Sequence, residues 1–324
     1  MAIITNFSSR PEEIAIRRAI VITSRVHPGE SNASFIVEGI LEFLVSEDEV
    51  AKYLRNNFVF KIIPMLNPDG VIVGNYRTSL SGLDLNRQWI APSMKQCPEN
   101  CSTKMMMRKT LESRDILFYC DIHGHSRSKN LFMYGCSNQR ADRLKERIFP
   151  LLFHKNTDFF YFDYCSFIIQ KQKESTGRVV MWKEFQLINS FTLESSFCGP
   201  TRGLYKDCHF TIPIYKEMGK LFCITLRDYA SNEQKVREAI QELEGLFPPP
   251  KAEEGLSSQF QQIDRNNGFG GNYNNGFGIQ DDPVDDKKAK AKKKTVVKGA
   301  VESNAKPVKS SKNTGYEVPP TSSK

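Results

Sequence analysis

This chain has no apolar run approaching the ~18 to 20 residues that a membrane-spanning helix needs, so no membrane span is expected. No secretory apolar region precedes Arg10. The eight cysteines are scattered through mainly apolar segments instead of standing at framework spacings, and a reduced, cytoplasmic protein is the expectation. Cys97 and Cys101 form a C-x3-C with no second pair nearby, a weak spacing for a structural metal. Lysines and arginines form no stripe interleaved with aromatics, so the footprint of a nucleic-acid partner is missing. Histidine is scarce, with five in 324 residues, which makes the position of each informative.

The 40% apolar content suffices for a large core, in one big domain or two ordinary ones. Net charge is +8, but Asp281 to Lys324 holds eleven lysines against six acids, a surplus of five, so the remainder is only mildly basic. A strand-like start at Ala2 to Thr5 leads through a polar loop to RRAIVITSRV. After HPGE, Phe35, Ile36, Ile40, Phe43 and Leu44 recur at helical spacing, with Ser31 or Asn32 placed to cap that helix. FVFKIIPML reads as a buried strand, and NPDG as a turn returning the chain through a polar loop to Arg87.

Met105 to Ser113 and Arg140 to Phe153 read as helices, and ILFYCDI and LFMYG as strands. This alternation predicts an α/β fold with a mixed, mostly parallel twisted sheet flanked by helices. Asn232 to Phe247 has an amphipathic helical pattern, which PPP at 248–250 stops. The folded domain is expected over residues 1–250. Residues 251–324 carry NNGFG twice and then the lysine-rich stretch. They offer too little apolar surface to offset ordering entropy and are expected to form a disordered tail.

Three strand-like runs lead to polar donors: RRAIVITSRV to His27, DILFYCDI to His123 and SFTL to Glu194. An open α/β sheet collects such groups at its strand ends, where these sheets bind ligands. His27 and Glu30 can converge on one metal if the chain turns tightly through Pro28 and Gly29. With His123 they make a nitrogen and oxygen set of the kind that holds a catalytic Zn²⁺ with a fourth position open, and Glu194 is a carboxylate available for proton transfer. H-x-x-E alone is weak; two of five histidines standing after buried strands strengthen it. His125 competes with His123, which is preferred because it follows the strand directly, and His154 and His209 are read as structural.

HPGE, NPDG, GNYR, DLNRQW, CDIHGHSRSKNLFMYGC and FTLESSFCG follow one another between Ile4 and Tyr229. In that order they resemble the cytosolic carboxypeptidases, a branch of the zinc metallocarboxypeptidases related to pancreatic carboxypeptidase. The resemblance implies a zinc carboxypeptidase-like fold holding one Zn²⁺ on His27, Glu30 and His123. It makes Glu194 the general base and then acid, and Asp84 the carboxylate that orients His27 through its other ring nitrogen. It makes Arg77 the arginine that stabilises the oxyanion, an effect of roughly 3 to 4 kcal/mol in acyl transfer. Asn86 and Arg87 become the pair that grips a free C-terminal carboxylate, which a guanidinium fork reads in bidentate fashion.

Counting back from Glu194, the resemblance puts Arg178 near the floor of the side-chain pocket, where it would favour a terminal glutamate or aspartate. The implied partners are acidic polypeptide tails, those of tubulin and microtubules above all, with a cytoplasmic, microtubule- or cilium-associated location. Two departures stand out. Gln172 falls where pancreatic-type enzymes carry a tyrosine that closes over substrate, and the β-sandwich domain that usually precedes the catalytic domain is missing. Either the chain is truncated or an apolar face stands exposed. Two rival functions remain: a zinc amidohydrolase that deacylates small acyl-amino acids, and an inactive microtubule- or partner-binding remnant, against which the intact Glu194 argues.

Overall fold

RAIVITS and FVFKII bury nearly every residue, a pattern that only strands covered on both faces can satisfy. In the computed structural model, which describes residues 1–138 and 143–248, both lie inside a six-stranded sheet. The chain order is β1 (Ala2–Ile4), α1 (Pro11–Ala15), β2 (Arg18–Ser24), α2 (Ser31–Leu44), α3 (Glu49–Asn57), β3 (Phe58–Ile63) and α4 (Pro68–Val73). It continues with α5 (Pro98–Leu111), β4 (Ile116–His125), β5 (Leu131–Tyr134), α6 (Lys145–Asn156), α7 (Gly177–Phe185), β6 (Ser190–Ser196), α8 (Ile212–Ser231) and α9 (Glu233–Leu246).

The strand order is β1-β3-β2-β4-β6-β5. The four central strands are parallel, and the edges β1 and β5 pair antiparallel with their neighbours. This is the mixed, mostly parallel sheet that the alternation predicts. Ile20 and Ile22 of β2 face a core built by α2, α3, α6 and α8. Ala19 and Val21 face the other, where Trp89, Met107 of α5 and Val180 and Met181 of α7 pack. Gly39 and Gly219 let α2 and α8 cross with their backbones in contact, because a Cβ at either would strike the other helix.

From β2 the chain runs through α2 and α3 to β3 on one side, then returns past β2 to β4 on the other. The connections leaving β2 and β4 therefore diverge, and the crevice at their carboxyl ends is the switch point where open sheets bind ligands.

Several local expectations differ from what forms. Helix α5 begins at Pro98, seven residues before Met105, because its buried face is polar: Asn100 donates to the Leu85 carbonyl at 2.8 Å and Lys104 to that of Trp89 at 2.8 Å. Helix α6 begins at Lys145, and Arg140 lies outside the described residues. Ser31 and Asn32 do not cap α2; they are its first two residues, and Glu30 holds the cap position. Helices α1, α3, α4, α7 and α8 are not anticipated by the spacing above; α1 lies in the expected polar loop and α4 begins within the expected NPDG turn. Among the described residues no helix is long and apolar enough to cross a membrane. The expected tail, the end of the PPP stop and the NNGFG repeats lie outside the described residues.

Candidate metal centre

Past Ser24, Arg25 takes a left-handed φ of 56° and turns the chain out of β2. Its guanidinium then donates to the Pro28 carbonyl at 2.7 Å and to Ser34 Oγ at 2.8 Å, clasping the HPGE turn from inside. Gly29 N–H donates to the Tyr76 carbonyl at 2.7 Å, and the Tyr76 ring lies where a Cβ at position 29 would stand. Asn67 of NPDG accepts from Gly70 N–H at 3.0 Å, capping α4, and donates to the Val26 carbonyl at 3.1 Å. NPDG is thus a brace for the HPGE turn, and where a turn is expected its last three residues form the first turn of α4. So held, Glu30 directs its carboxylate at the two histidines instead of capping α2.

Glu30 Oε1 lies 2.6 Å from His27 Nδ1, and Oε2 lies 2.9 Å from His123 Nδ1. Gly124 N–H also donates to Oε2, at 3.0 Å. One donor atom from each of the three residues lies within 4.8 Å of the others, and all three residues are buried. The outer ring nitrogens each meet a carboxylate: His27 Nε2 lies 3.1 Å from Asp84 Oδ1, and His123 Nε2 lies 2.8 Å from Asp121 Oδ2. With an ion bound, a proton kept outward on each ring would leave both Nδ1 lone pairs free to face it, the arrangement a metal requires. Two imidazoles and one carboxylate match the three-ligand set of catalytic zinc sites, so the residues fit the ion.

Charge follows the same geometry. Burial by itself would raise the Glu30 carboxyl, but the His123 and His27 rings outweigh it and hold it well below the usual carboxylate range. Burial likewise opposes charge on His123 and His27. At His123, Asp121 and Glu30 win and raise it well above its ordinary value; at His27, Glu30 and Asp84 do so.

Glu194 reaches the site through sheet register. It pairs with His123 across β4–β6 and with Phe132 across β5–β6, so the three side chains share one face in a row. Phe132 is fully buried. Burial pushes Glu194 up to about 7, although His123 pulls it down. A carboxylate poised there exchanges protons near neutral pH.

Arg77 holds Asp84 Oδ2 through Nε at 3.0 Å and Nη2 at 2.9 Å. Burial works to raise Asp84, but His27, Arg77 and Arg87 keep it far below the usual range. Asn86 Oδ1 accepts from Gly177 N–H at 3.0 Å, which fixes the amide with its NH₂ 3.4 Å from His123 Nε2. The Nε2 proton goes to the closer Asp121, so the Asn86 NH₂ keeps its donors for another acceptor. Arg87 donates to the Asn86 carbonyl at 3.0 Å.

Arg178, on the first turn of α7, is only 5% exposed. It donates to the Gly135 carbonyl, lies 5.4 Å from the Tyr134 ring centroid and feels the charge of Glu194. Burial lowers its pKa, which Cys136 and Tyr134 oppose. Among the described residues no carboxylate is ion-paired with it, and the charge of Glu194 acts on it only from beyond salt-bridge distance.

Other candidates fall elsewhere. His125 accepts from Ser128 N–H at 2.9 Å and is not in the cluster. His154 bonds Arg202, which also braces the Phe160 carbonyl, and His209 is exposed. Gln172 is exposed and bonds Gln170. Cys97 and Cys101 sit at the start of α5, where Cys97 Sγ accepts from Ser93 N–H, and they belong to no metal-binding group among the described residues. The sequence reading missed Asp121, although D-x-H on a strand puts both side chains on one face. It also missed Arg25 as the clasp of the turn.

The zinc carboxypeptidase family profile matches residues 1–194. Cytosolic carboxypeptidase 2 of Mus musculus is 52% identical over 247 residues, covering 75% of this chain and 28% of that protein. Cytosolic carboxypeptidase 3 of Bos taurus is 48% identical over 235 residues, 71% of this chain and 23% of that one. The chain thus spans about a quarter of the length of these curated relatives. A metallo-carboxypeptidase from Burkholderia cenocepacia shares the fold, with a TM-score of 0.62 at 23% identity over 71% of this chain and 60% of that one. With the profile covering more than half of its length and relatives 52% and 48% identical over more than two thirds of it, the chain belongs to the zinc carboxypeptidase family, in its cytosolic carboxypeptidase branch.

Proposed function

We propose that this chain is a zinc-dependent carboxypeptidase that removes terminal or side-chain-linked glutamates from acidic protein tails, with tubulin the favoured substrate and cytoplasmic microtubules or cilia the place of action. The observation that carries hydrolysis is the pairing of Glu194 with the ligand His123, which sets a carboxylate poised near 7 beside the metal-binding cluster. The relatives' names, cytosolic carboxypeptidase 2 and 3, support removal of residues from a C-terminus.

Zinc held by His27, Glu30 and His123 supplies a Lewis acid for the scissile carbonyl and lowers the pKa of water. Glu194 takes the proton of the attacking water and returns it to the leaving amine. Arg77 engages Asp84 through Nε and Nη2, which leaves Nη1 for the developing oxyanion. The Asn86 amide and Arg87 hold the terminal carboxylate of the substrate and so restrict the reaction to chain ends. Arg178, buried with no ion-paired carboxylate among the described residues, pairs with an acidic side chain on the residue to be released.

The test is direct. Zinc-loaded protein incubated with a peptide ending in a run of glutamates should release free glutamate and leave successively shorter peptides by mass spectrometry. Intact peptide after prolonged incubation with zinc bound would overturn the reading.

A further inference from the structure

We infer that Asp121 is a positioning residue that fixes His123 as a zinc ligand, at the end of a buried hydrogen-bond line beginning at Tyr119. The inference rests on the zinc reading of the His27, Glu30 and His123 cluster. Alternation along β4 puts Tyr119, Asp121 and His123 on one face, and Thr23 is the partner of Asp121 across β2–β4. Tyr119 Oη lies 3.1 Å from Thr23 Oγ1; Thr23 Oγ1 donates to Asp121 Oδ1 at 2.8 Å; Asp121 Oδ2 lies 2.8 Å from His123 Nε2.

The direction of the line is determined. Thr23 has one hydroxyl proton and gives it to Asp121, so Tyr119 must be the donor to Thr23. Tyr119, Thr23 and Asp121 are all fully buried. One Asp121 oxygen is thereby anchored, and the other faces the His123 ring.

The two histidine ligands are supported unequally. Asp84 divides its charge among His27, Arg77 and the Asn86 N–H, and its side chain is 20% exposed. Among the described residues Asp121 has no arginine or lysine partner, so His123 is the one basic group it bonds. A competing donor also stands ready. The Asn86 NH₂ is 3.4 Å from the same Nε2. Without Asp121 it would donate there and move the ring proton to Nδ1, the nitrogen that faces Glu30 and must be bare to bind metal.

Zinc affinity of the full chain, by competition with a chelator, and the melting temperature of the metal-free protein together test this. Asp121→Asn keeps the shape but removes the charge and should weaken zinc binding by roughly 10- to 100-fold. Asp121→Ala, which also frees the ring, should weaken it further. Thr23→Val should cause a smaller loss, and Thr23→Ser, which keeps the hydroxyl, should restore wild-type affinity. Asp121→Asn removes a buried charge paired with His123 and should lower the metal-free melting temperature too, so the control is Phe222→Leu, which costs stability in the core away from the site and should leave zinc affinity unchanged. Unchanged affinity in Asp121→Asn, or an equal loss of affinity in Phe222→Leu, would overturn the inference in favour of a packing role. A wild-type chain that retains no zinc would overturn the cluster reading and this inference together. Should the Asp121 variants fail to fold, equal affinities for Thr23→Val and Thr23→Ser would overturn it by themselves.

Discussion

Glu194 lies directly beside His123 in the parallel β4–β6 pair, with Phe132 of β5 on its other side. Register controls this relationship, because a slip of one residue would carry Glu194 to the opposite face of the sheet. The backbone of three strands, not a loop, therefore sets the proposed proton-transfer group next to a proposed metal ligand.

Glu194→Gln keeps the shape of the side chain and removes its ability to take a proton. Turnover of a glutamate-ended peptide should fall by about 100- to 10,000-fold, while binding of the same peptide, followed by calorimetry, survives. Turnover at the wild-type rate would remove Glu194 from the chemistry.

Burial raises Glu194 to about 7 in the folded chain, above its ordinary carboxylate value. In the metal-free protein, folded chains keep a proton here that unfolded chains release as pH rises from about 4.5 to about 7. Stability from this group is therefore lost as pH rises through that window. Metal-free Glu194→Gln should melt near the wild-type temperature at pH 4, where both states are protonated, and above it at pH 8. An equal difference at the two pH values would contradict the burial argument.

Zinc content follows from the cluster. Metal analysis should find about one zinc per chain, and His123→Ala should lose it, since two remaining ligands fall short of the three that catalytic sites supply. Full occupancy in that variant would place the metal elsewhere.

Arg178 and Arg87 should differ in kind. Arg178→Ala should lower kcat/KM for a terminal glutamate more than for a terminal leucine or glutamine, by roughly 2 to 4 kcal/mol. Arg87→Ala should damage all C-terminal substrates alike, because each carries the carboxylate it is proposed to grip. Equal slowing of glutamate and leucine peptides by Arg178→Ala would refute the pocket-floor assignment.

The sheet was legible because β2, β3 and β4 are runs of apolar residues buried on both faces. Helix α5 was only half legible, since Asn100, Thr103 and Lys104 occupy its buried face. In α8, Tyr215, Met218, Phe222 and Leu226 keep helical spacing, but buried Gly219, Thr225 and Asp228 interrupt the apolar stripe. At the site, the ligand types could be read as donors after strands, whereas Asp84, Arg77, Asn86 and Arg87 acquired roles only through the family resemblance. Asp121 escaped notice because its importance depends on Thr23, 98 positions away and brought beside it by the β2–β4 pairing.

The central claim is that this fold is a zinc exopeptidase which recognises a free chain end. The most direct measurement compares two zinc-supplemented reactions on the same glutamate-ended peptide, one with a free C-terminal carboxylate and one amidated. The account predicts stepwise glutamate release from the free peptide and none from the amidated form, because Asn86 and Arg87 then have no carboxylate to grip. Equal cleavage of both peptides, or cleavage of neither with zinc bound, would contradict it.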